Sequence, residues 1–285
     1  MKIGVSLYSY HQYANEGSMG VKGCIKKAAE DGFSGLDFVG VGLGYEDYLA
    51  YAKDIGKYCR DTGIEPVCFC TGADFLRCGD IKDEIAKVKR NIDVAEAYGC
   101  PIFRHDISGG FPSHVEGKTY DDAIEIIAPA VREITKYAEE KGIVTTTENH
   151  GYFSQDSDRV EKLIRAVNEK NFGALIDVGN FHCVDEAAED GVKRLAPYIR
   201  HAHAKDFHIK SPSVPDPGEG WFGTRGGGRL RGAIIGHGDV NITKCIEILK
   251  NSGYDGYLNV EFEGMEDPLR GIAVGFENLK RYMGN

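Results

Sequence analysis

A short stretch at 199–206 alternates small apolar residues with side chains that can bind ligands. It reads Ile-Arg-His-Ala-His-Ala-Lys-Asp. Because side chains along a strand point to alternate faces, His201, His203 and Lys205 would share one face. Three such groups on one face of a buried strand indicate that this face borders a site rather than an apolar core.

Three other apolar or β-branched stretches each carry a carboxylate at or near their end, namely Glu148, Asp177 and Glu261. With His203 they would supply three carboxylates and one imidazole, an oxygen-rich set that suits Mn²⁺, Mg²⁺ or Co²⁺ and also accommodates Zn²⁺. A single carboxylate at a strand end is more often a helix cap or an ion-pair partner. Four groups on consecutive strands instead predict one bound divalent metal ion, with Mn²⁺ preferred.

The elements that must position these residues alternate along the whole chain. Apolar periodicity and glycine stops predict strands at 2–8, 35–39, 65–70, 101–107, 143–149, 173–178, 199–205 and 257–262, and helices at 21–30, 45–62, 81–98, 120–141, 157–169, 185–195, 242–251 and 268–282. Eight strand–helix units in 285 residues predict a single-domain (β/α)8 TIM barrel over 1–285. An open doubly wound sheet is the rival, but it usually carries a glycine-rich phosphate turn after its first strand, which is lacking here.

A barrel of this kind builds its site at the carboxyl ends of its strands, where all four predicted ligands lie. The formal net charge of −10 disfavours a nucleic-acid partner, which needs excess Lys and Arg. No apolar run approaches the roughly 18 residues that span a membrane. The eight cysteines form no Cys-x-x-Cys pair, and Met1-Lys2 leads directly into a strand. A reduced, cytoplasmic enzyme without a membrane partner is the expectation.

Several motifs occur in order along the chain. They are Ile-Gly-Val-Ser-Leu-Tyr at 3–8, Gly-Phe-Ser-Gly-Leu-Asp at 32–37, Glu-Asn-His-Gly at 148–151, Asp-Val-Gly-Asn at 177–180, His-Ala-His-Ala-Lys-Asp at 201–206, and Gly-His-Gly-Asp-Val at 236–240 before Glu261. In these motifs the chain resembles the sugar phosphate isomerase/epimerase family of xylose isomerase-like TIM barrels.

The resemblance implies that Glu148, Asp177, His203 and Glu261 hold the metal, and that Glu148 and Glu261 are the catalytic acid and base. The implied reaction is isomerisation or epimerisation of a small sugar, keto-sugar or hydroxy-carbonyl acid. The metal polarises a carbonyl and stabilises an enediolate, while one carboxylate removes a proton and the other returns one. The implied partner is a small carbohydrate substrate, and family analogy adds a homo-oligomer.

Other functions remain open at this point. The alternative is a lyase on the same metal site, either an inosose dehydratase-like enzyme or one that cleaves glycosides. The net charge makes a metal-dependent nuclease less expected. The intact ligand set makes a non-catalytic sugar-binding barrel less expected. The chain also departs from the ketose epimerases, which carry His where Asn180 stands and Arg where Ile209 stands. Many relatives carry Glu where Asp37 stands.

Further residues are predicted around the metal. Those predicted to contact substrate are His150, Lys205, His105, Asn180, Trp221 and Arg225, and those predicted to orient a histidine behind the ligands are Asp206 and His201. His150 could instead be a packed rim histidine, and Lys205 could simply pair with a rim carboxylate. His105 and Asp106 end the fourth strand, so only one of them should face the site.

The segment 211–239 is predicted to be a long irregular loop on the catalytic rim. It carries Trp221, Arg225 and three consecutive glycines at 226–228. An aromatic cap with arginines would suit a polyhydroxylated or anionic substrate. A solvated loop or an oligomer contact is an equal alternative.

Overall fold

Eight parallel strands close into a barrel in the computed structural model, which describes residues 1–15 and 17–284. The first seven barrel strands follow one another around the barrel in chain order, and the eighth closes it between the seventh and the first. The barrel strands are β1 (Lys2–Ser6), β2 (Gly35–Val39), β3 (Glu65–Thr71), β4 (Ile102–His105), β5 (Val144–Glu148), β6 (Phe172–Asp177), β7 (Ile199–Ala204) and β11 (Tyr257–Val260). The predicted single-domain (β/α)8 barrel is confirmed.

Eight α-helices surround the barrel in the part of the chain that the structure describes. They are α1 (Gly20–Glu30), α2 (Tyr45–Asp61), α3 (Ile81–Tyr98), α4 (Tyr120–Glu140), α5 (Ser157–Val167), α6 (Ala188–Leu195), α7 (Ile242–Asn251) and α8 (Pro268–Met283). Several begin at side-chain caps, as where Thr119 and Asp122 form a capping box at the start of α4. Within the described residues, none of these helices has both the length and the apolar character that crossing a bilayer requires.

The segment 211–239, which the sequence predicted to be one irregular loop, contains two short strands at 222–223 and 229–233 and is irregular elsewhere. Strands β8 (Asp206–Lys210), β9 (Phe222–Gly223) and β10 (Arg229–Ala233) form a small antiparallel sheet in the order β8-β10-β9. Its apolar side is made by Phe207 and Phe222, whose ring centroids are 5.6 Å apart, and by buried Leu230. The short β9 and the arginines that flank Leu230 hide this pattern in the sequence.

The register of the barrel decides which side chains reach its interior. Leu175 in β6 packs inside against Val67 and Cys68 of β3. Asp177 lies two residues further along and therefore also points inward. His203 of β7 pairs with Asp177 in the strand register, which brings two of the predicted ligands together. The interior is narrow near β1, where a Cβ on Gly4 would lie 2.1 Å from Asn259 Oδ1.

Candidate metal centre

The four predicted ligands meet at the carboxyl end of the barrel. Glu148 ends β5, Asp177 ends β6, His203 lies in β7, and Glu261 directly follows β11. One potential ligand atom from each lies within 4.8 Å of all the others. Glu261 is held in line with the barrel because its backbone N–H donates to Ala204 O over 2.9 Å. The arrangement is a candidate divalent metal site with three carboxylates and one imidazole.

Within the described residues, two buried atoms of this cluster, Asp177 Oδ2 and His203 Nδ1, make no hydrogen bond and have charged neighbours, Lys205 Nζ at 3.2 Å and Glu261 Oε1 at 3.3 Å. The other Asp177 oxygen already accepts from the backbone N–H groups of Gly179 and Asn180 over 2.9 and 3.1 Å. A buried polar atom without a hydrogen bond costs free energy, and coordinating a cation would remove that cost. The donor set and these two atoms therefore fit a divalent ion.

The ammonium of Lys205 lies among the carboxylates. Its Nζ is 2.9 Å from Glu261 Oε2, 3.2 Å from Asp177 Oδ2 and 3.4 Å from Glu263 Oε2. Burial lowers the pKa of Lys205, but the Asp177, Glu261 and Glu263 carboxylates outweigh burial and raise it well above its usual value. Lys205 is therefore a permanent positive charge beside the candidate metal site.

Proton binding within the cluster also reflects its crowded negative charge. Burial raises the pKa of Asp177 to about 7; Lys205 opposes this rise, while Glu261 and Glu148 add to it. Burial lowers the pKa of His203, but Glu261 and Asp37 raise it well above its usual value. Protons and Lys205 thus balance the negative charge of the carboxylates.

Arg104 is a site residue that the sequence analysis did not select. It is buried, its Nε lies 2.8 Å from Glu148 Oε2, and its Nη2 donates to Asp106 Oδ1 over 2.7 Å. Asn180 Nδ2 donates to the other Glu148 oxygen over 2.9 Å. The signal for Arg104 was strand alternation, because Phe103 and His105 on the opposite face of β4 leave Arg104 pointing inward.

Asp37 forms a second layer of support behind the metal cluster. Its Oδ2 lies 2.7 Å from His201 Nε2 and 2.8 Å from His203 Nε2, and all three side chains are buried. Because the Nε2 of His203 faces Asp37, its Nδ1 faces Glu261 Oε1 at 3.3 Å. Asp37 thus fixes the ring orientation that turns Nδ1 toward the cluster. His201 lies one contact away from the ligand, and its orienting role stays a prediction.

Replacing Asp37 with asparagine is expected to weaken metal binding by roughly 10–100-fold, because the neutral amide no longer holds the imidazole by a charge-assisted hydrogen bond. Calorimetric titration of chelator-stripped protein with Mn²⁺ measures this. Asp93→Asn is the matched control, since Asp93 binds Tyr45 and Tyr137 on the outer helices. Equal Mn²⁺ affinities for Asp37→Asn and the unmodified chain would show that Asp37 does not orient the ligand.

A cavity of about 560 Å³ opens above the cluster, a size typical of small-molecule sites. Its polar lining is Arg104, Glu148, His150, His203, Lys205, Glu261 and Glu263, and its walls include Tyr8, Tyr48, Phe69 and Cys70. Charged groups at the base and aromatic side chains on the wall suit a polyhydroxylated ring.

Three residues predicted to contact substrate lie in or beside this cavity. His150 lines it, and its Nδ1 is 3.0 Å from Asp106 Oδ1. Lys205 lines it as well, and it donates to Asn180 Oδ1 over 3.2 Å. Asn180 therefore links Lys205 to Glu148. Whether these side chains contact substrate stays a prediction.

Two predicted roles need correction. His105 is fully buried on the helix side of β4, where its ring packs near Phe75, Phe103 and Phe172. It points away from the cavity because Arg104 takes the inward position. Among the described residues Asp206 forms no hydrogen bond with a histidine, because its carboxylate accepts the backbone N–H groups of Phe207, Gly236, Gly238 and Val240 over 2.8–3.1 Å. It anchors the end of the inserted sheet instead.

Trp221 and Arg225 also lie outside the cavity. Trp221 is flanked by Lys210 Nζ and the Arg231 guanidinium at 5.9 and 5.6 Å from the ring centroid. Arg225 pairs with the Asp156 carboxylate and the backbone oxygen of Tyr152. The predicted substrate contacts of these two residues are not supported. Trp221 packs within the inserted sheet, and Arg225 attaches that sheet to the rim of the barrel.

Comparison with known proteins identifies the family. The family model described as xylose isomerase-like TIM barrel matches residues 25–282. An inosose dehydratase from Clostridium perfringens is 26% identical over 256 residues, which cover 86% of this chain and 82% of that protein. The chain therefore belongs to the xylose isomerase-like TIM barrel family, as its motifs predicted.

Two solved structures share the fold. The IolI protein with a bound zinc atom has a TM-score of 0.76 at 15% identity and is matched over 100% of this chain and 98% of that one. A xylose isomerase-like TIM barrel protein from Mycobacterium smegmatis in complex with magnesium has a TM-score of 0.71 at 19% identity, over 99% and 96% of the chains. Both are similar in fold, and both carry a divalent metal in their own structures.

Proposed function

We propose that this chain is a metal-dependent lyase of the dehydratase type that acts on a small polyhydroxy ketone. The observation that carries the proposal is that Glu148 and Glu261 belong to the ligand cluster and also line the cavity. Two carboxylates can thus reach a substrate bound at the metal. The inosose dehydratase relative, aligned over most of the chain, supports this lyase more than the isomerase or epimerase that the motifs first implied.

A divalent ion held by Glu148, Asp177, His203 and Glu261 would polarise the substrate carbonyl and make the neighbouring C–H bond more acidic. Glu261 is proposed to accept that proton. Burial raises its pKa, but Lys205 and His203 outweigh burial and lower it well below its usual value. The carboxylate is therefore ionised at neutral pH, and the proton transfer depends on the acidity of the C–H bond rather than on a strong basicity of Glu261.

The remaining groups would complete the elimination. As the C–H bond breaks, its electron pair forms the C=C bond, and the hydroxyl on the next carbon leaves with a proton as water. Glu148, held by Arg104 and Asn180, lies in the same cluster. It is proposed to supply the proton with which the hydroxyl leaves as water. The side chains proposed to bind substrate oxygens are Lys205, His150 and Asn180. Lys205 would become free to do so because the cation would neutralise part of the charge of the carboxylates that now pair with it.

The test uses chelator-stripped protein reloaded with Mn²⁺, Mg²⁺, Co²⁺ or Zn²⁺ and incubated with an inosose in D₂O. Mass spectrometry of the product is expected to show the loss of one water, only with metal present. Deuterium uptake without a change in covalent composition would favour the isomerase or epimerase instead, which the same pair of carboxylates could also perform. Neither water loss nor deuterium uptake with any of the four metals would contradict both reactions for this substrate.

A further inference from the structure

A second recess of about 700 Å³ lies beside the active-site cavity. We call it the side groove and define it by Tyr8, Met19, Val41, Leu43, Tyr51 and Ile55. Tyr8, Val39, Gly40 and Leu43 line both the side groove and the active-site cavity. The two spaces are therefore neighbours across a shared wall, so one ligand can extend from one into the other.

The shared wall is largely a loop of alternating glycine and apolar residues, Val-Gly-Val-Gly-Leu-Gly at 39–44. Val41 is 36% exposed, Leu43 is 44% exposed, and Tyr8, which lines the same groove, is 42% exposed. A soluble protein gains nothing in stability from showing three large apolar side chains at one place. Their clustering at the mouth of the active site indicates a ligand that covers them.

The chemistry of the side groove differs from that of the cavity. The cavity holds carboxylates, an ammonium and a guanidinium, whereas the defining residues of the groove are aromatic or aliphatic. The rings of Tyr8 and His11 lie 5.9 Å apart at 30° and offer a flat surface. The charges of Lys22 and Asp54 at the groove neutralise each other in an ion pair of 2.7 Å. A flat apolar group fits this lining, and a second sugar ring does not.

We propose that the side groove binds an apolar, aromatic substituent of the substrate while the polyhydroxylated ring occupies the active-site cavity. The inference deepens the proposed function and rests on it, because it takes the cavity as the place of the sugar-like ring. It assigns the substrate to the class of polyhydroxy ketones whose ring carries an aryl substituent. Continuity with the active-site cavity favours a substrate group over a partner protein as the occupant.

The experiment compares two unreactive analogues that lack the ketone, phenyl β-D-glucopyranoside and methyl β-D-glucopyranoside, which share the polyhydroxylated ring and differ in the substituent. Dissociation constants are measured by ligand-observed NMR with Mg²⁺-loaded protein. Phenyl binding is expected to be roughly tenfold tighter or better, from burial of the ring in the groove. Val41→Asp should abolish that preference, because it places a carboxylate in the groove while its backbone N–H can still bind Tyr48 Oη.

Val214→Asp is the matched control, since Val214 is 45% exposed and lines neither the cavity nor the groove. It should keep the full phenyl preference. Equal affinities for the two glycosides, binding of neither, or an unchanged preference in Val41→Asp would each overturn the side-groove proposal. A phenyl preference with no metal-dependent water loss from any polyhydroxy ketone would instead contradict the proposed function and leave the groove in place.

Discussion

Glu148→Gln and Glu261→Gln are each expected to lower kcat by roughly 10²–10⁴-fold, the usual contribution of a positioned acid or base. Glutamine keeps the size of the side chain and one oxygen that can coordinate, but it cannot take up a proton at neutral pH. The measurements are water loss from an inosose and deuterium uptake at the substrate carbon, with metal content determined for each variant. Only a variant that still holds its metal reports on proton transfer.

Glu263→Gln provides the matched control for these two variants. Glu263 lines the same cavity and lies 3.4 Å from Lys205, but it is outside the four-residue ligand cluster. Its replacement should reduce kcat by less than about tenfold, since it removes one ion pair and no proposed base. If either Glu148→Gln or Glu261→Gln kept full deuterium uptake with metal bound, the assignment of that carboxylate to proton transfer would be wrong.

The sequence predicted the candidate site because two simple geometric rules applied. Alternation along a strand gave the inward face of β7, and the barrel rule placed the ends of consecutive strands around one opening. Glu148, Asp177 and Glu261 were recognisable because, with His203, they recur at or near the ends of four consecutive strands. The helices were predicted from apolar periodicity and glycine stops, and α3 and α7 have the predicted bounds.

The residues that support the cluster were harder to predict because their roles depend on contacts between distant strands. Asp37 is 164 positions from His201, and nothing near it in the sequence shows that two imidazoles will share its Oδ2. Arg104 reads as an isolated basic residue until β4 is placed beside β5. Asp206 follows a histidine motif, yet its oxygens turn to backbone N–H groups brought back by the inserted sheet.

The sequence could not decide which side chains at the end of β4 and in the inserted sheet reach the site. It offered His105 and Asp106 as alternatives for one inward position and did not select Arg104. In the structure the His105 imidazole stacks on Phe172, and the Arg104 guanidinium pairs with Glu148. For Trp221 the sequence left a cap over the site and a solvated loop as equal alternatives, and its ring is flanked by Lys210 and Arg231 in the inserted sheet.

Metal affinity is expected to fall steeply as the pH is lowered below 7. In the metal-free protein, Asp177 has a pKa of about 7 and that of His203 lies well above its usual value, so both hold protons at pH 6. A cation needs the Asp177 carboxylate and the neutral Nδ1 of His203, so binding releases both protons. The metal-free state therefore binds more protons, and each released proton weakens metal binding by about tenfold per pH unit.

Calorimetric titrations with Mn²⁺ across about pH 6 to pH 8 measure this linkage. As the pH is lowered, the dissociation constant should rise most steeply below 7, approaching about 100-fold per pH unit where Asp177 and His203 both hold protons, and less steeply above 7, where Asp177 has lost its proton. Asp177→Asn offers an oxygen that does not titrate, so its slope below pH 7 should drop to one proton. Titrations in two buffers of different ionisation enthalpy count the released protons directly. An affinity independent of pH, with no proton released in either buffer, would mean that the cation binds elsewhere than at Asp177 and His203.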